Sequence, residues 1–179
     1  MRDEAQGGRH YPGQGESNAQ RHSMVFWDEM TDRVAADYPD VEVTRYHVDA
    51  IAARMITNPE TLDVVVASNL FGDILTDIGA AIQGGLGFAA SANINPVSGG
   101  PGMFEPVHGS APDIMGKGLA NPLATLWAGA LMLQHLGEAT AAESLMNALE
   151  AVTASGAGTP DMHGSLTTAE LAQAVQAAL

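Results

Sequence analysis

With 21 acidic residues against 7 basic ones over 179 positions, the chain carries a formal net charge of −14 and a pI near 4.5, which argues against a nucleic-acid partner, whose phosphates would be repelled. A hydrophobic fraction of 46% beside 16% charged residues is that of a globular protein, long enough for one ordinary domain or two small ones. Cysteine is absent, which excludes disulfide scaffolds, thiolate metal sites and cysteine nucleophiles.

Residues 1–15 hold Gly7, Gly8, Pro12, Gly13 and Gly15 with little apolar content, and read as a flexible tail. Ser17 or Asn18 can cap a helix whose apolar side chains Met24, Trp27, Met30 and Val34 recur every three or four residues before Pro39 ends it. Val41 to Val48 alternates as a half-buried strand does, and Asp49 is placed to cap a short helix through Met55, broken at Asn58-Pro59. Leu62 to Ala67 is an apolar, β-branched run suited to a strand buried on both faces. A helix is expected from about Phe71 to Ile82, stopping at Gly84-Gly85, followed by short strands and structured loops over 86–120.

Pro122 suits the first turn of a helix to His135 that is apolar almost all round and therefore buried. Its most apolar window, Leu123 to Leu133, is about half the length that spans a bilayer. Residues 1–22 lack the apolar run of a signal peptide, so a soluble, cytoplasmic chain with no membrane partner is expected. Two further helices are expected near 141–153 and 168–178, the latter capped by Thr167 or Thr168. Strands alternating with helices imply an α/β fold, a layered and largely parallel sheet with flanking helices.

One segment carries chemistry. After the apolar run come Asn69, Leu70, Phe71, Gly72, Asp73, Ile74, Leu75, Thr76 and Asp77. Asp73 and Asp77 stand four apart, hence on one face of a helix, where two carboxylates repel unless a cation lies between them. A hard divalent ion, Mg²⁺ or Mn²⁺, suits oxygen ligands; a solvated acidic face on an acidic protein is the other reading. The position beyond a strand and a glycine is where α/β folds place ligands.

NLFGDILTDIGAAIQGGLG (69–87) resembles the signature of the isocitrate/isopropylmalate dehydrogenase family, and MFEPVHGSAPDIMGKGLANPLAT (103–125) its cofactor segment. SNAQRHSMVFWDEM (17–30) and YPDVEVTRYHVDAIAARM (38–55) resemble its tartrate/D-malate dehydrogenase branch. The likeness runs from Ser17 to Leu179 and covers the C-terminal half of a typical member. It implies a partial isopropylmalate dehydrogenase-like fold, with residues 16–85 in the dimerising, metal-site domain and 86–179 in part of the cofactor domain. It also implies NAD-dependent oxidation and decarboxylation of a small 2-hydroxy acid by a homodimer.

By the same resemblance, Asp73 and Asp77 are metal ligands, joined by Asp49 reaching across a dimer interface. The loop His108, Gly109, Ser110, Ala111, Pro112, Asp113 would hold the adenosine half of NAD. A carboxylate at Asp113, followed by Ile114, would favour NAD over NADP by repelling a 2′-phosphate. Asn121 matches an adenine-side contact, and Glu105 lies towards the nicotinamide. Without the resemblance, this loop is an ordinary turn-rich segment, since no G-x-G-x-x-G follows a strand.

The family's catalytic lysine precedes the Ser-Asn of the 17–30 motif, and here that position is Glu16. The chain's single lysine, Lys117, falls in the cofactor segment. A glutamate would oppose substrate carboxylates, so no catalytic residue is assigned. Two readings follow: the C-terminal portion of a decarboxylating dehydrogenase, or a non-catalytic remnant that dimerises and binds metal or nucleotide. His10, His22, His47, His135 and His163 lack ligand spacing and read as structural, as Trp27 and Trp127 read as core.

Overall fold

A computed structural model describes residues 24–95 and 99–179, together with the backbone of 10–14. It divides into two compact units, one ending at Gly79 and the other beginning at Ala80. The sequence boundary expected at 85/86 lies a few residues further on.

In the first unit, β1 (His10–Gln14) pairs in parallel with β2 (Glu42–Tyr46), in register from His10↔Glu42 to Gln14↔Tyr46. The expected tail is therefore partly wrong, because residues 10–14 are a strand; residues 1–9 and Gly15 lie outside the described residues. Strand pairing draws on main-chain groups, and Pro12, which has no N–H to donate, is tolerated on an edge strand. Helix α1 (Val25–Ala35) follows, preceded by Met24, which makes no side-chain cap; Ser17 and Asn18 lie outside the described residues. An exposed ion pair joins Arg45 on β2 to Asp32 on α1 and contributes little.

Helix α2 (Val48–Thr57) is capped in position by His47, so Asp49 sits in its first turn and is not the cap. A carboxylate there still favours the helix dipole, and Asp49 Oδ1 accepts a hydrogen bond from the Ala50 N–H at 2.8 Å. Helix α3 spans Asn69–Ile82. Gly79 lies so close to α2 that an added Cβ would stand 3.3 Å from Met55 Cε. Between α2 and α3 the expected strand at 62–67 does not form: only Val66 makes a bridge, and Val64 and Val66 are 42% and 40% exposed. A doubly buried parallel strand needs neighbours on its edges and layers on both faces. Among the described residues, the first unit has only the β1–β2 pair.

The second unit holds β3 (Ala90–Asn93) and β4 (Met103–Pro106), which pair antiparallel, so the sheet is less parallel than expected. Loops over 86–120 do contain these short strands. Three helices follow: α4 (Leu123–His135), α5 (Ala139–Ala154) and α6 (Thr168–Ala178). Their core joins Leu123, Ala148, Leu149, Val152, Leu171 and Val175, with Phe88 edge-on to Trp127 at 5.4 Å. Trp127 is thus a core side chain, as read from the sequence. Helix α4 buries Leu123, Ala124, Ala128 and Ala130, while Met132 near its end is exposed. No helix among the described residues is long and apolar enough to cross a membrane. The whole is a partial α/β fold.

Thr167 caps α6 through a reciprocal box, its hydroxyl accepting from the Glu170 N–H while Glu170 Oε2 accepts from the Thr167 N–H at 2.8 Å. Replacing Thr167 by Ala is expected to cost about 1 kcal/mol in denaturant unfolding. The hydrogen bonds from the Thr167 backbone, then from its hydroxyl, hold the Glu170 carboxyl below its ordinary value of 4.5. Its contribution is therefore complete above that value and lost as pH falls through the lower folded one. Unfolding of Glu170→Gln should be less pH-dependent than wild type as pH falls below 4.5; equal slopes would remove the box from the account.

Candidate functional site

Helix α3 starts where the apolar run ends, with the Gly72 N–H donating to Ser68 O at 2.7 Å in its first turn. Leu75 and Ala80 are buried, while Asp73, Ile74, Thr76 and Asp77 are exposed. Asp73 and Asp77 are therefore one turn apart on the open side of one helix, as their spacing predicts. Neither carboxylate has a hydrogen-bond or ion-pair partner among the described residues. The Asp73 main-chain oxygen accepts from Thr76 Oγ1 at 3.1 Å.

Asp49 is exposed in the first turn of α2. Among the described residues no three His, Asp or Glu side chains gather closely enough to hold an ion, so within one chain Asp49 does not complete a set with Asp73 and Asp77. Two unpaired carboxylates fit a hard cation but leave most of its coordination open, to be filled by water, substrate or another subunit.

The second cluster lies entirely in the Ala80–Leu179 unit. Glu105 is exposed on β4, opposite Ser91 on β3, and the Val107 N–H donating to Ala89 O at 3.0 Å closes the strand pair. His108 is half-buried, with Nδ1 2.9 Å from Gly109 O. Gly109, Ser110, Ala111 and Asp113 are exposed, and Ile114 is half-buried. Ala111 has φ of 41°, in the left-handed region where a side chain is strained, and strain of this kind gathers at binding sites. A short turn at Pro112–Ile114 then presents Asp113, and Gly116 and Gly118, both at positive φ, carry the chain onward.

The far end of this loop is fixed firmly. The Thr168 N–H and hydroxyl donate to Gly118 O and Ala120 O at 2.8 and 2.5 Å. Asn121 is 7% exposed: its Oδ1 accepts from the Leu123 N–H at 2.9 Å, while its Nδ2 donates to Asp161 Oδ2 at 3.0 Å. Thr159, fully buried, donates to Asp161 Oδ1 at 2.6 Å. Sequence reasoning passed over Thr159 and Asp161. A Thr-Pro-Asp turn is common, and nothing in the linear order joins it to an asparagine 40 residues earlier.

Other candidates behave as structural groups. The His135 ring lies 5.5 Å from Phe104, and His163 occupies a left-handed turn position. His47 precedes α2; the His10 side chain, His22 and Glu16 lie outside the described residues. Trp27 lines an apolar groove of about 410 Å³ with Met30, Val34, Tyr38, Val43 and Val66, which holds none of the candidate ligands.

The two candidate clusters thus lie on one exposed helix face and on one loop with a strained backbone. Residues 15–175 match the model of the isocitrate/isopropylmalate dehydrogenase family, and the chain belongs to that family. A protein of Bacillus subtilis (strain 168) named "Probable tartrate dehydrogenase/decarboxylase" is 54% identical over 155 residues, which are 87% of this chain and 44% of that relative. The "D-malate dehydrogenase [decarboxylating]" of Escherichia coli (strain K12) is 50% identical over 164 residues, 89% of this chain and 45% of that protein. The crystal structure of isocitrate dehydrogenase from Methylococcus capsulatus superposes with a TM-score of 0.86 at 39% identity, covering 95% of this chain and 50% of that one. The chain thus spans about half the length of the relatives it matches, their C-terminal half.

Proposed function

We propose that this chain serves as the C-terminal portion of an NAD-dependent, Mg²⁺- or Mn²⁺-dependent oxidoreductase that oxidises and decarboxylates a 2-hydroxy acid of the tartrate, D-malate or 3-isopropylmalate type. Membership of a family whose relatives are named tartrate and D-malate decarboxylating dehydrogenases supports the reaction class. The observation that carries the metal reading is the exposed pair Asp73 and Asp77, one turn apart and without a protein partner among the described residues.

In this reading Asp73 and Asp77 hold the cation together with the partner subunit's Asp49. The bound ion supplies Lewis-acid stabilisation of negative charge on the substrate oxygens. Exposed apolar side chains on the same unit, Ile56 on α2 with Leu70 and Ile74 on α3, support a homodimer that covers them. The loop from His108 to Ile114 takes the adenosine half of NAD, with Asp113 accepting from ribose hydroxyls and Glu105 towards the nicotinamide. The Asn121 amide is already committed to Leu123 and Asp161, so its contact with adenine would run through its main chain.

A second reading, a non-catalytic module that dimerises and binds metal or nucleotide, is favoured by one specific observation. Glu16 stands where the resemblance places a lysine, and Lys117 is the only lysine in the chain. The two readings agree on ligands and differ on turnover. With D-malate, tartrate or 3-isopropylmalate plus Mn²⁺, the isolated chain is expected to form negligible NADH, and ordinary dehydrogenase turnover would reject the assignment at Glu16. Under the same conditions NAD should raise the unfolding midpoint more than an equal concentration of NADP, because only the latter brings a 2′-phosphate against the Asp113 carboxylate. Equal shifts would remove Asp113 from the site, and no shift with either would remove the nucleotide reading.

A further inference from the structure

We propose that Asp161 is a positioning residue for the nucleotide loop, acting through Asn121. The proposal rests on the reading of residues 108–121 as the nucleotide site and adds to it a group outside that segment. Three pieces of chain meet at this carboxylate. Its Oδ2 accepts from Asn121 Nδ2 at 3.0 Å, and its Oδ1 accepts from the hydroxyl of buried Thr159 at 2.6 Å. Gly87 approaches so closely that a Cβ there would lie 2.5 Å from Asp161 Oδ2 and 2.9 Å from Asn121 Cβ. An ionised carboxylate only accepts, so it fixes which way the Asn121 amide faces: Nδ2 must point to Asp161, leaving Oδ1 for the Leu123 N–H. That choice holds the first turn of α4 against the end of the loop.

The exposed part of the loop is held by bonds within its own turns, from the Ile114 N–H to Ala111 O at 3.1 Å and the Met115 N–H to Pro112 O at 3.3 Å, so its placement on the unit depends on its flanks. Ser110, Ala111 and Asp113 face solvent, and Ala111 keeps a strained left-handed backbone. Strain of this kind persists only where the flanks are fixed. The flank after the loop is fixed by Thr168 on Gly118 and Ala120 and by Asp161 on Asn121. With Asp161 removed, the buried Asn121 Nδ2 loses its partner, and the amide is free to turn and release the Leu123 N–H.

The test compares NADH affinity, read from the fluorescence of the bound dinucleotide, with thermal midpoints for the full chain and three variants, below every midpoint. Asp161→Ala should weaken NADH about tenfold and speed hydrogen exchange at the Leu123 amide. Asp161→Asn keeps an oxygen for Asn121 and should stay within about threefold of wild type. Thr159→Val removes a buried hydroxyl without touching Asn121; it should lower the midpoint yet leave affinity within about threefold. Wild-type affinity in Asp161→Ala, or affinity falling in step with the midpoint across all three variants, overturns the proposal. A wild-type chain that does not bind NADH overturns the underlying nucleotide reading instead, and the proposal falls with it.

Discussion

Gly164→Ala should destabilise the Ala80–Leu179 unit by roughly 3 kcal/mol, the upper end of what an overpacked site costs. For a unit of about 100 residues that is a fall of roughly 15 °C in the unfolding midpoint. A Cβ at Gly164 would stand 1.9 Å from Gly158 O and 2.3 Å from Gly158 C, and backbone atoms have no rotamer by which to step aside. The turn they close is tight: the Gly164 N–H donates to Thr159 O and the Leu166 N–H to Gly158 O, both at 3.0 Å. Met162 and Leu166 of this turn pack on the core formed by Leu149, Leu171 and Val175, so widening it pulls α6 away. Gly129, inside α4 with nothing within 4 Å of its would-be Cβ, is the control. There Gly→Ala should stabilise by about 0.5–1 kcal/mol, since only the backbone entropy changes. A Gly164→Ala midpoint equal to wild type would mean that the 158–164 closure does not hold in solution.

Mn²⁺ should stabilise the wild-type chain by about 2.7 kcal/mol at a free concentration one hundred times its dissociation constant, and Asp73→Asn or Asp77→Asn should abolish the effect. The same variants carry a second, opposite expectation without metal. Like charges four apart on a helix repel, so neutralising one should stabilise the metal-free chain by about 0.2–0.5 kcal/mol. The sign of each substitution thus reverses when the ion is added. A merely solvated acidic face would give the small gain under both conditions, with no response to Mn²⁺, and that pattern would retire the metal assignment. Thermal melts of the three proteins with and without Mn²⁺ decide the matter.

Features set by neighbours in sequence were the legible ones. The Asp73–Asp77 pair lies on a helix because Leu75, Ile78 and Gly79 recur at helical spacing around it, and Thr167 with Glu170 forms the cap its spacing allows. Short strands among the glycines and prolines of 86–120 were readable for the same reason. The Leu62–Ala67 run forms no strand although its composition suits one, because an apolar β-branched stretch does not determine whether strands exist beside it. Residues 10–14 show the opposite case, a strand without strand-like side chains, since backbone pairing with β2 asks almost nothing of them.

At the candidate sites the division falls in the same place. The acidic pair was legible from residue types at helical spacing, whereas the His108–Asp113 loop stood out only through its resemblance to a known family, its residues by themselves being an ordinary turn-rich segment. The link from Asn121 to Asp161, the closeness of Gly87 to both, and the Gly158–Gly164 contact came from folding alone. Helical faces, caps and turn residues are set by steric and hydrogen-bonding preferences within a few positions, so one strand of letters contains them. Which distant groups share a hydrogen bond, and which strand finds a partner, depend on how whole elements pack, and only the three-dimensional arrangement settles that.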